Sequence, residues 1–335
     1  MDFFPDSDQA ALVAATRQYV ESRFPLSDSP AYFDDVLWKE ISELGWLGLA
    51  VGEEAGGAGA SLLDEVFVFR EIGRGVVGGP ILTTLAAARL AAWTGDSALA
   101  RELINGHTRV ARGVGLPGSD NGGILLLDTD GSTLTLFTEE NFVALYRTPQ
   151  HLASTPGLED ETFVSHTTYS ELGDPCLKAD DPATVSRIRR VLSILASAQL
   201  AGIAGMTSEL ATNYAKNRVQ FGKPIGAFQA VKHKCADMAT NALAADNITY
   251  FAALAEGANE VGSNYHTLAA AALCRRAALT NSRSNIQIHG AMGFTVEDSA
   301  HRFVKRTHAL CLTEEFSCAA ALLGGLPPAD DDEEA

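Results

Sequence analysis

Apolar residues recur with helical spacing through the first hundred positions of the chain. One stripe spans residues 6–24, behind the candidate caps Asp6, Ser7 and Asp8; it comprises Leu12, Val13, Thr16, Tyr19, Val20 and Phe24. Similar patterns start near Phe33 and run through LLDEVFVFREIGRG, PILTTLAAARLAAWTG and DSALARELING, with a Gly-rich loop at GEEAGGAGAS. Residues 1–107 are therefore predicted to form an N-terminal helical domain.

The pattern changes to that of β-strands between residues 108 and 180. Short alternating or β-rich runs are separated by Gly, Asp and Ser: RVARGVGL, GILLLDTDGSTLTLFTE, NFVALYRT and ETFVSHTTY. This spacing predicts a small middle β domain over residues 108–180.

Helical spacing returns after Asp181-Pro182, which supplies an N-cap and a first-turn proline. We predict a helix from there to Asn217 and further helices over 227–257, 264–287 and 313–324. Four long helices with short connections favour an antiparallel four-helix bundle over residues 181–326, followed by an acidic tail over 327–335. The predicted fold class is mainly α with a small β domain.

Composition narrows the classes of partner. The formal net charge is −17 and 46% of the residues are hydrophobic, which favours a large core and argues against nucleic acid or an anionic membrane as a partner. The five Cys show no CxxC spacing, and no His or Cys cluster has metal-ligand spacing. The first residues lack a basic stretch followed by an apolar stretch, so we expect a cytoplasmic location.

The loop after the long helix, RVQFGKPIGAFQ at 218–229, contains more than a turn requires. Gly and Pro suffice to end a helix, so Arg218, Gln220 and Phe221 suggest a ligand. A guanidinium is suited to phosphate oxygens because it donates two parallel hydrogen bonds. The alternatives are a cation that stabilises the helix C-terminus for Arg218 and a core anchor for Phe221.

A second segment, Gln287-Ile288-His289-Gly290-Ala291-Met292-Gly293-Phe294, ends the last long bundle helix before the tail region. Glycines at 290 and 293 would let backbone N–H groups approach a phosphate closely. Isolated glycines more often only mark a turn. The charged pair Lys305 and Arg306 is predicted to lie between helices, where such residues are usually solvated.

With these two segments in this order, the chain resembles the acyl-CoA dehydrogenases. That family has the motif Arg-x-x-Phe-Gly-x-x-Ile followed by Phe-Gln, and the motif Gln-x-x-Gly-Gly-x-Gly-(Phe/Tyr); the N-terminal WKEISELGWLGLAVGEEAGGAGASLLDEVFVFREIGR is also typical. The resemblance implies FAD as cofactor. It also implies that the two motifs hold the adenosine and pyrophosphate half of the FAD of a neighbouring subunit, through Arg218, Gln220, Phe221, Gln287, Gly290 and Gly293.

The resemblance also implies a catalytic base that removes the proton alpha to the thioester. Counting without gaps from Gln287 gives Glu314, which is followed by Glu315 where the family has Gly. The other base position known in the family falls on Leu192. The alternative for Glu314 and Glu315 is an acidic first turn of a helix.

The middle domain departs from the family pattern. Of the strand Thr-Glu-Pro-x-Ala-Gly-Ser-Asp only Pro117-Gly118-Ser119-Asp120 remains, and no Trp follows Trp93. We therefore expect that this chain does not hold a flavin ring by itself. It is similar to one subunit of the two-plus-two heterotetramers that act on steroid side-chain CoA thioesters.

Our leading hypothesis is a subunit that adds FAD contacts to a second acyl-CoA dehydrogenase-like chain. An acyl-CoA is the expected substrate, and an electron-transfer flavoprotein or a similar acceptor is the expected partner. Two alternatives remain open: a self-sufficient homotetramer with Glu314 as base, and a flavin-free structural or acyl-CoA-binding homologue.

Overall fold

The computed structural model describes residues 5–27, 34–116, 122–159 and 162–313. Within these ranges the chain is mainly helical with a small sheet, which confirms the predicted fold class. The helices are α1 (Ser7–Arg23), α2 (Asp35–Glu43), α3 (Leu62–Arg74), α4 (Ile81–Trp93), α5 (Ser97–Ile104), α6 (Tyr169–Leu172), α7 (Pro182–Asn217), α8 (Gln229–Gly257), α9 (Ser263–His289) and α10 (Ala300–Thr313).

Helices α1–α5 confirm the helices predicted in the first hundred residues. Side-chain caps fix where α1, α2, α3 and α5 begin, because the first N–H groups of a helix have no partner within it. The Asp6 carboxylate accepts from the backbone of Gln9 at 2.9 Å, and the Gln9 side chain accepts from the Asp6 N–H. Helix α4 is apolar on nearly all sides and almost wholly buried, so it forms part of the core.

The middle of the chain forms a seven-stranded sheet in the order β5-β6-β2-β1-β3-β4-β7. Its pairs are antiparallel except for β1 with β3. The outermost strands, β5 and β7, have three residues each and were not predicted. The strands are β1 (Arg109–Gly115), β2 (Gly123–Leu127), β3 (Ser132–Thr138), β4 (Val143–Arg147), β5 (Ser154–Pro156), β6 (Phe163–Thr168) and β7 (Leu177–Ala179).

One face of the sheet packs on helices from both sides of it in sequence. Leu90 of α4, Leu136 of β3 and Ile188 of α7 belong to one buried cluster. The sheet therefore lies between the N-terminal helices and the bundle, and the junction of the three regions is closely packed. The domain boundaries predicted at 107/108 and 180/181 remain our proposal.

Helix α7 is the 36-residue centre of the C-terminal region. It begins as predicted: Asp181 accepts from the Thr184 N–H at 2.8 Å, and Pro182 occupies the first turn. By length and composition α7 could cross a membrane, but 89% of its most apolar window is buried inside the protein. It packs as a core helix against α3, α8 and α9.

The prediction after α9 was wrong in one respect. Residues 300–313, which include Lys305 and Arg306, form the helix α10 and not a connection between helices. Helix α10 is amphipathic, and its apolar side places Phe303 and Leu310 in the core beside α7 and α9. The helix predicted over 313–324 lies outside the described residues except for its first position.

Candidate functional site

The loop at 218–225 is a tight β-hairpin attached to the end of α7. The Arg218 N–H donates to the Tyr214 carbonyl and the Ile225 N–H donates to the Arg218 carbonyl, both at 2.8 Å. Between these bonds β8 (Val219–Gln220) pairs with β9 (Lys223–Pro224). The hairpin leaves only Phe221 and Gly222 for its turn.

Both turn residues have positive φ, +54° at Phe221 and +78° at Gly222. A two-residue hairpin turn of this kind requires positive φ at both positions, which Gly adopts freely and Phe does not. The strain at Phe221 costs about 1–2 kcal/mol, yet its side chain is 90% exposed. The fold therefore gains little from this ring, and its position favours a contact outside the chain.

The second predicted segment is a compact turn at the end of α9. Gly290 has a φ of +64°, and a single turn of 3-10 helix follows from Gly290 to Phe294. Gly293 is buried, and a Cβ there would lie 2.9 Å from the carbonyl oxygen of Ile286 and 3.0 Å from its Cα. Close backbone packing thus explains why residue 293 is Gly, and the positive φ at the end of α9 explains why residue 290 is Gly.

A stack of two rings joins the hairpin to this turn. The rings of Tyr214 and His289 lie 4.2 Å apart, and His289 Nδ1–H donates to the Asn285 carbonyl at 2.9 Å. Tyr214 is one helical turn before Arg218, and His289 directly precedes Gly290. Both predicted segments therefore lie at the same end of the bundle.

This end presents the predicted residues to solvent. Arg218, Gln220, Phe221 and Gln287 are exposed, Gly290 is partly exposed, and Gly293 is buried as a backbone support. No carboxylate pairs with Arg218 among the described residues. An exposed guanidinium, an exposed ring and glycine-containing backbone fit the nucleotide end of FAD.

A cavity of about 140 Å³ lies where the N-terminal helices, the sheet and α10 meet. Its walls are mostly apolar and include Leu82, Leu125, Leu127, Phe163 and Leu310. A site for a drug-sized ligand has roughly 300–1,000 Å³. The cavity is therefore too small for a flavin ring as it stands.

Charged and polar side chains close this cavity further. Arg306 of α10 donates through Nη1 to Glu159 Oε2 at 3.2 Å and through Nη2 to Gln199 Oε1 at 3.0 Å. Its Nε is buried with no hydrogen-bond partner in the described ranges. A guanidinium held in this way takes up the space at the junction of the three regions.

Asp128 lies in the wall of the same cavity. Burial raises the pKa of its carboxyl to about 6; the Arg306 charge lowers this pKa, and the Glu159 charge raises it. No sequence pattern points to Asp128, and the sequence predicts a solvated Arg306. The only local signal is the turn Asp128-Thr129-Asp130-Gly131, in which Asp128 has a φ of +57°.

Two predicted elements lie outside the described residues. They are Glu314 with its neighbour Glu315, and the segment Pro117-Gly118-Ser119-Asp120. The described residues fit the nucleotide half of FAD at the end of the bundle, but they do not fit the flavin ring at the junction cavity.

Comparison with known families matches both helical regions. Residues 6–105 match the family model "Acyl-CoA dehydrogenase, N-terminal domain", and residues 191–314 match "Acyl-CoA dehydrogenase, C-terminal domain". The chain is 33% identical to acyl-CoA dehydrogenase IpdE2 of Mycobacterium tuberculosis over 308 residues, which cover 89% of this chain and 88% of IpdE2.

Two further similarities concern the length and the fold. Acyl-CoA dehydrogenase FadE34 of Mycobacterium tuberculosis is 32% identical over 90% of this chain, but the chain spans only 43% of FadE34. A solved structure named Tcur3481-Tcur3483 steroid ACAD superposes with a TM-score of 0.76 at 23% identity, covering 95% of this chain and 96% of that one.

Proposed function

The chain belongs to the acyl-CoA dehydrogenase family, and we propose that it is a subunit of an FAD-dependent acyl-CoA dehydrogenase, completing the cofactor site of a second, similar chain. FAD would accept the hydride in the alpha,beta-dehydrogenation of an acyl-CoA thioester. The described residues of this chain would bind and orient the cofactor, while the partner would supply the surface under the flavin ring.

One contrast carries this proposal. The exposed residues at the end of the bundle suit the nucleotide half of FAD, whereas the junction cavity of the same chain is about 140 Å³ and contains Arg306. Arg218 would pair with the pyrophosphate, and Gln220, Phe221 and Gln287 would line the adenosine. Gly290 would offer backbone N–H groups there, and Gly293 would keep that turn close to α9.

The relatives support a partner of the same kind. Because this chain covers 43% of FadE34, that relative has room for a second unit of similar size. The steroid ACAD structure carries two designations in its name. We propose a two-plus-two heterotetramer, a steroid side-chain CoA thioester as substrate, and an electron-transfer flavoprotein or similar acceptor.

The cellular setting we propose is the cytoplasm. Cys176, Cys235, Cys274 and Cys311 are all free thiols. Free thiols with no disulfide among the described residues fit a reducing compartment.

The first test is the visible absorbance of the purified chain. We expect no stoichiometric flavin spectrum from the chain alone, and about one flavin per two subunits after co-expression with its partner. A stoichiometric flavin spectrum together with acyl-CoA turnover by the isolated chain would refute the proposal.

The second test uses Arg218→Ala in the assembled protein. Loss of the phosphate contact should lower FAD retention several-fold or more. Arg147→Ala serves as the control, because Arg147 is an exposed arginine of the sheet with no carboxylate partner among the described residues. Equal FAD retention in the two variants would refute the contact at Arg218, and absence of FAD from both assemblies would favour the flavin-free homologue.

A second candidate function is the self-sufficient homotetramer. Leu310 and Leu312 line the junction cavity, so the chain reaches this cavity immediately before Glu314. If Glu314 is the base, Glu314→Gln should abolish turnover with flavin still bound. Under the leading proposal the same substitution leaves turnover by the assembly in place.

A further inference from the structure

The positive charges of this acidic protein are concentrated at one end of the bundle. Residues 214–240 and 275–290 contain eight Lys and Arg against one Asp, a net charge of +7 in a chain whose total is −17. The rest of the chain therefore carries −24. We call the eight cations the basic face: Lys216, Arg218, Lys223, Lys232, Lys234, Arg275, Arg276 and Arg283.

None of these eight side chains forms an ion pair within the part of the chain that the structure describes. Elsewhere arginines commonly face a carboxylate, as in Arg17 with Glu71 at 2.9 Å and Arg70 with Asp246 at 2.7 Å. Seven of the eight are exposed and Lys234 is half-buried. So many unpaired cations in so acidic a chain indicate that their anionic partners lie in another molecule.

Five of the eight cations lie on two packed helices, Lys232 and Lys234 on α8 and Arg275, Arg276 and Arg283 on α9. Asn241 of α8 donates to Asn281 of α9 at 3.2 Å, which sets the first half of α8 beside the second half of α9. On α9, Arg276, Arg283 and Gln287 follow one another at helical spacing and are exposed. The basic face therefore extends about three turns of α9 beyond Gln287, the nearest residue predicted to hold FAD.

Two large apolar side chains lie on the hairpin and on α8, the elements that carry these cations. The exposed fractions are 90% for Phe221 and 63% for Leu243; Phe294 and Val296, in the turn after α9, are also exposed but lie beside Glu297 and Asp298. Apolar residues surrounded by charges are typical of a protein–protein interface, whereas a site for phosphate alone needs cations and backbone donors. A single pyrophosphate would also leave most of the eight cations without a partner.

We infer that the basic face is a docking surface for an acidic, partly apolar face of a different protein chain, and that it opposes pairing of this chain with itself. Charge complementarity supports the first part. In a two-fold symmetric dimer the same patch occurs on both sides of the interface. Two basic faces would then meet, and their repulsion would select against the homodimer.

This inference deepens the proposed function and rests on it only for the identity of the partner, a second dehydrogenase-like subunit. It adds a chemical requirement that this subunit must meet. The surface that contacts α8 and α9 should carry an excess of Asp and Glu.

The test variant is Lys232→Gln, Arg276→Gln and Arg283→Gln combined, which neutralises three exposed cations of the basic face. The matched control is Arg101→Gln, Arg147→Gln and Lys178→Gln combined. It changes the net charge by the same amount at exposed positions outside the basic face. All six side chains are at the surface, so both variants should fold, and circular dichroism checks this.

The first measurement is self-association by analytical ultracentrifugation. At about 0.1 M NaCl, where charges act over roughly 10 Å, we expect the wild type and the control to associate weakly. The test variant should self-associate about tenfold more strongly, and so should the wild type at about 1 M NaCl. A tight wild-type homodimer at low salt that the test variant leaves unchanged would overturn the inference.

The second measurement is binding of two anionic probes, poly-L-glutamate and ADP. The test variant should bind poly-L-glutamate about tenfold more weakly than the control, because the control keeps the basic face. Its affinity for ADP should stay within about twofold of the wild type. Equal losses for both probes would mean that the basic face serves the nucleotide alone, and equal poly-L-glutamate binding by both variants would mean that only net charge matters.

These outcomes separate the inference from the proposed function. If Arg218→Ala leaves ADP binding and FAD retention unchanged while the poly-L-glutamate result holds, the proposed FAD contact fails and the docking surface stands. The reverse pattern removes the docking surface and keeps the FAD contact.

Discussion

At the scale of single residues, four non-glycine residues of the described chain have positive φ: Val76, Asp128, Phe221 and Asn259. Phe221 has a φ of +54° and Asp128 a φ of +57°. At Asp128 the Ser132 hydroxyl donates to the backbone carbonyl at 2.6 Å and holds the turn. At Phe221 the two strands of the hairpin fix the turn. Neighbouring hydrogen bonds, and not the preference of the residue itself, set both conformations.

Asp128→Asn tests the ionisation of this partly buried carboxyl. The pKa of Asp128 is raised from 3.8 to about 6 in the folded chain, so ionisation destabilises the fold as the pH rises through this window. Asn also tolerates positive φ. We expect equal free energies of unfolding for variant and wild type near pH 4, and a variant more stable by about 2 kcal/mol near pH 7.5.

Urea denaturation at the two pH values measures this difference. Asp130→Asn, in the same turn but exposed, is the matched control for an Asp-to-Asn change. A difference between the Asp128 variant and the wild type that is the same at both pH values would contradict the expectation.

Phe221→Asn separates the stability of the hairpin from its predicted contact. The phenyl ring is 90% exposed, so its loss removes little buried surface, and Asn suits positive φ. We expect a free energy of unfolding that is unchanged or up to about 1 kcal/mol higher. FAD retention by the assembly should fall. A clear loss of stability would show that the ring supports the fold.

The local sequence pattern predicted a role for some of these residues and not for others. Arg218 and Phe221 stand out because they exceed what a helix-ending loop requires. Arg306 does not, because its partner Glu159 is 147 positions away in sequence. An ion pair between such distant residues leaves no local pattern, and the same holds for the burial of Asp128.

At the scale of elements, α3 and α7 cross in direct backbone contact. A Cβ at Gly73 would lie 2.0 Å from the Gln199 carbonyl oxygen, and one at Gly202 would lie 2.0 Å from the Arg70 carbonyl oxygen. Two glycines thus allow the N-terminal helices to approach the bundle closely. The position of Gln199, which accepts from Arg306, depends on this crossing.

Gly202→Ala should force the two helices apart. Because the clash is with backbone atoms that cannot rotate away, we expect a loss of about 3 kcal/mol in the free energy of unfolding. Gly205→Ala is the control on the same helix: its nearest neighbours are arginine side-chain nitrogens at 3.5 and 3.8 Å. That change should be neutral or stabilise by about 0.5–1 kcal/mol. Equal effects in guanidinium denaturation would contradict the crossing.

Periodicity predicted the long helices well and failed at α10. Helices α7, α8 and α9 run for 27 or more residues with no proline after the first turn, and such long uninterrupted segments are readily predicted as helices. Helix α10 has 14 residues and includes Arg302, Lys305 and Arg306. Its basic residues suggested a solvated connection, but Arg302 is buried and Arg306 is largely so. Tertiary contacts override the local signal there.

At the scale of the whole molecule, Arg306 links three regions. It belongs to α10, donates a hydrogen bond to Gln199 of α7 and pairs with Glu159 beyond β5. Side-chain exposures of 12% for Arg306 and 14% for Glu159 place the pair mostly out of water. Removal of the Arg306 side chain should therefore loosen the packing of α7, α10 and the segment after β5 on one another.

Arg306→Ala leaves Glu159 as an unpaired carboxylate and enlarges the cavity. We expect a loss of about 3 kcal/mol in the free energy of unfolding. The double variant Arg306→Met and Glu159→Gln removes both charges and keeps most of the volume, so it should recover most of this loss. Thermal and urea denaturation compare the variants. Equal instability of the single and double variants would show that volume, and not charge, holds the junction.

The edge strands of the middle sheet affect how this chain behaves when it is alone. Strand β5 exposes all three of its residues and ends in Pro156, while β7 is equally short and carries Lys178. Short borders with a proline or a lysine resist strand-by-strand growth into aggregates. The chain is thereby protected, while alone, from one common route to precipitation. Under the proposed heteromeric function, synthesis of the two chains would not need to be strictly synchronised.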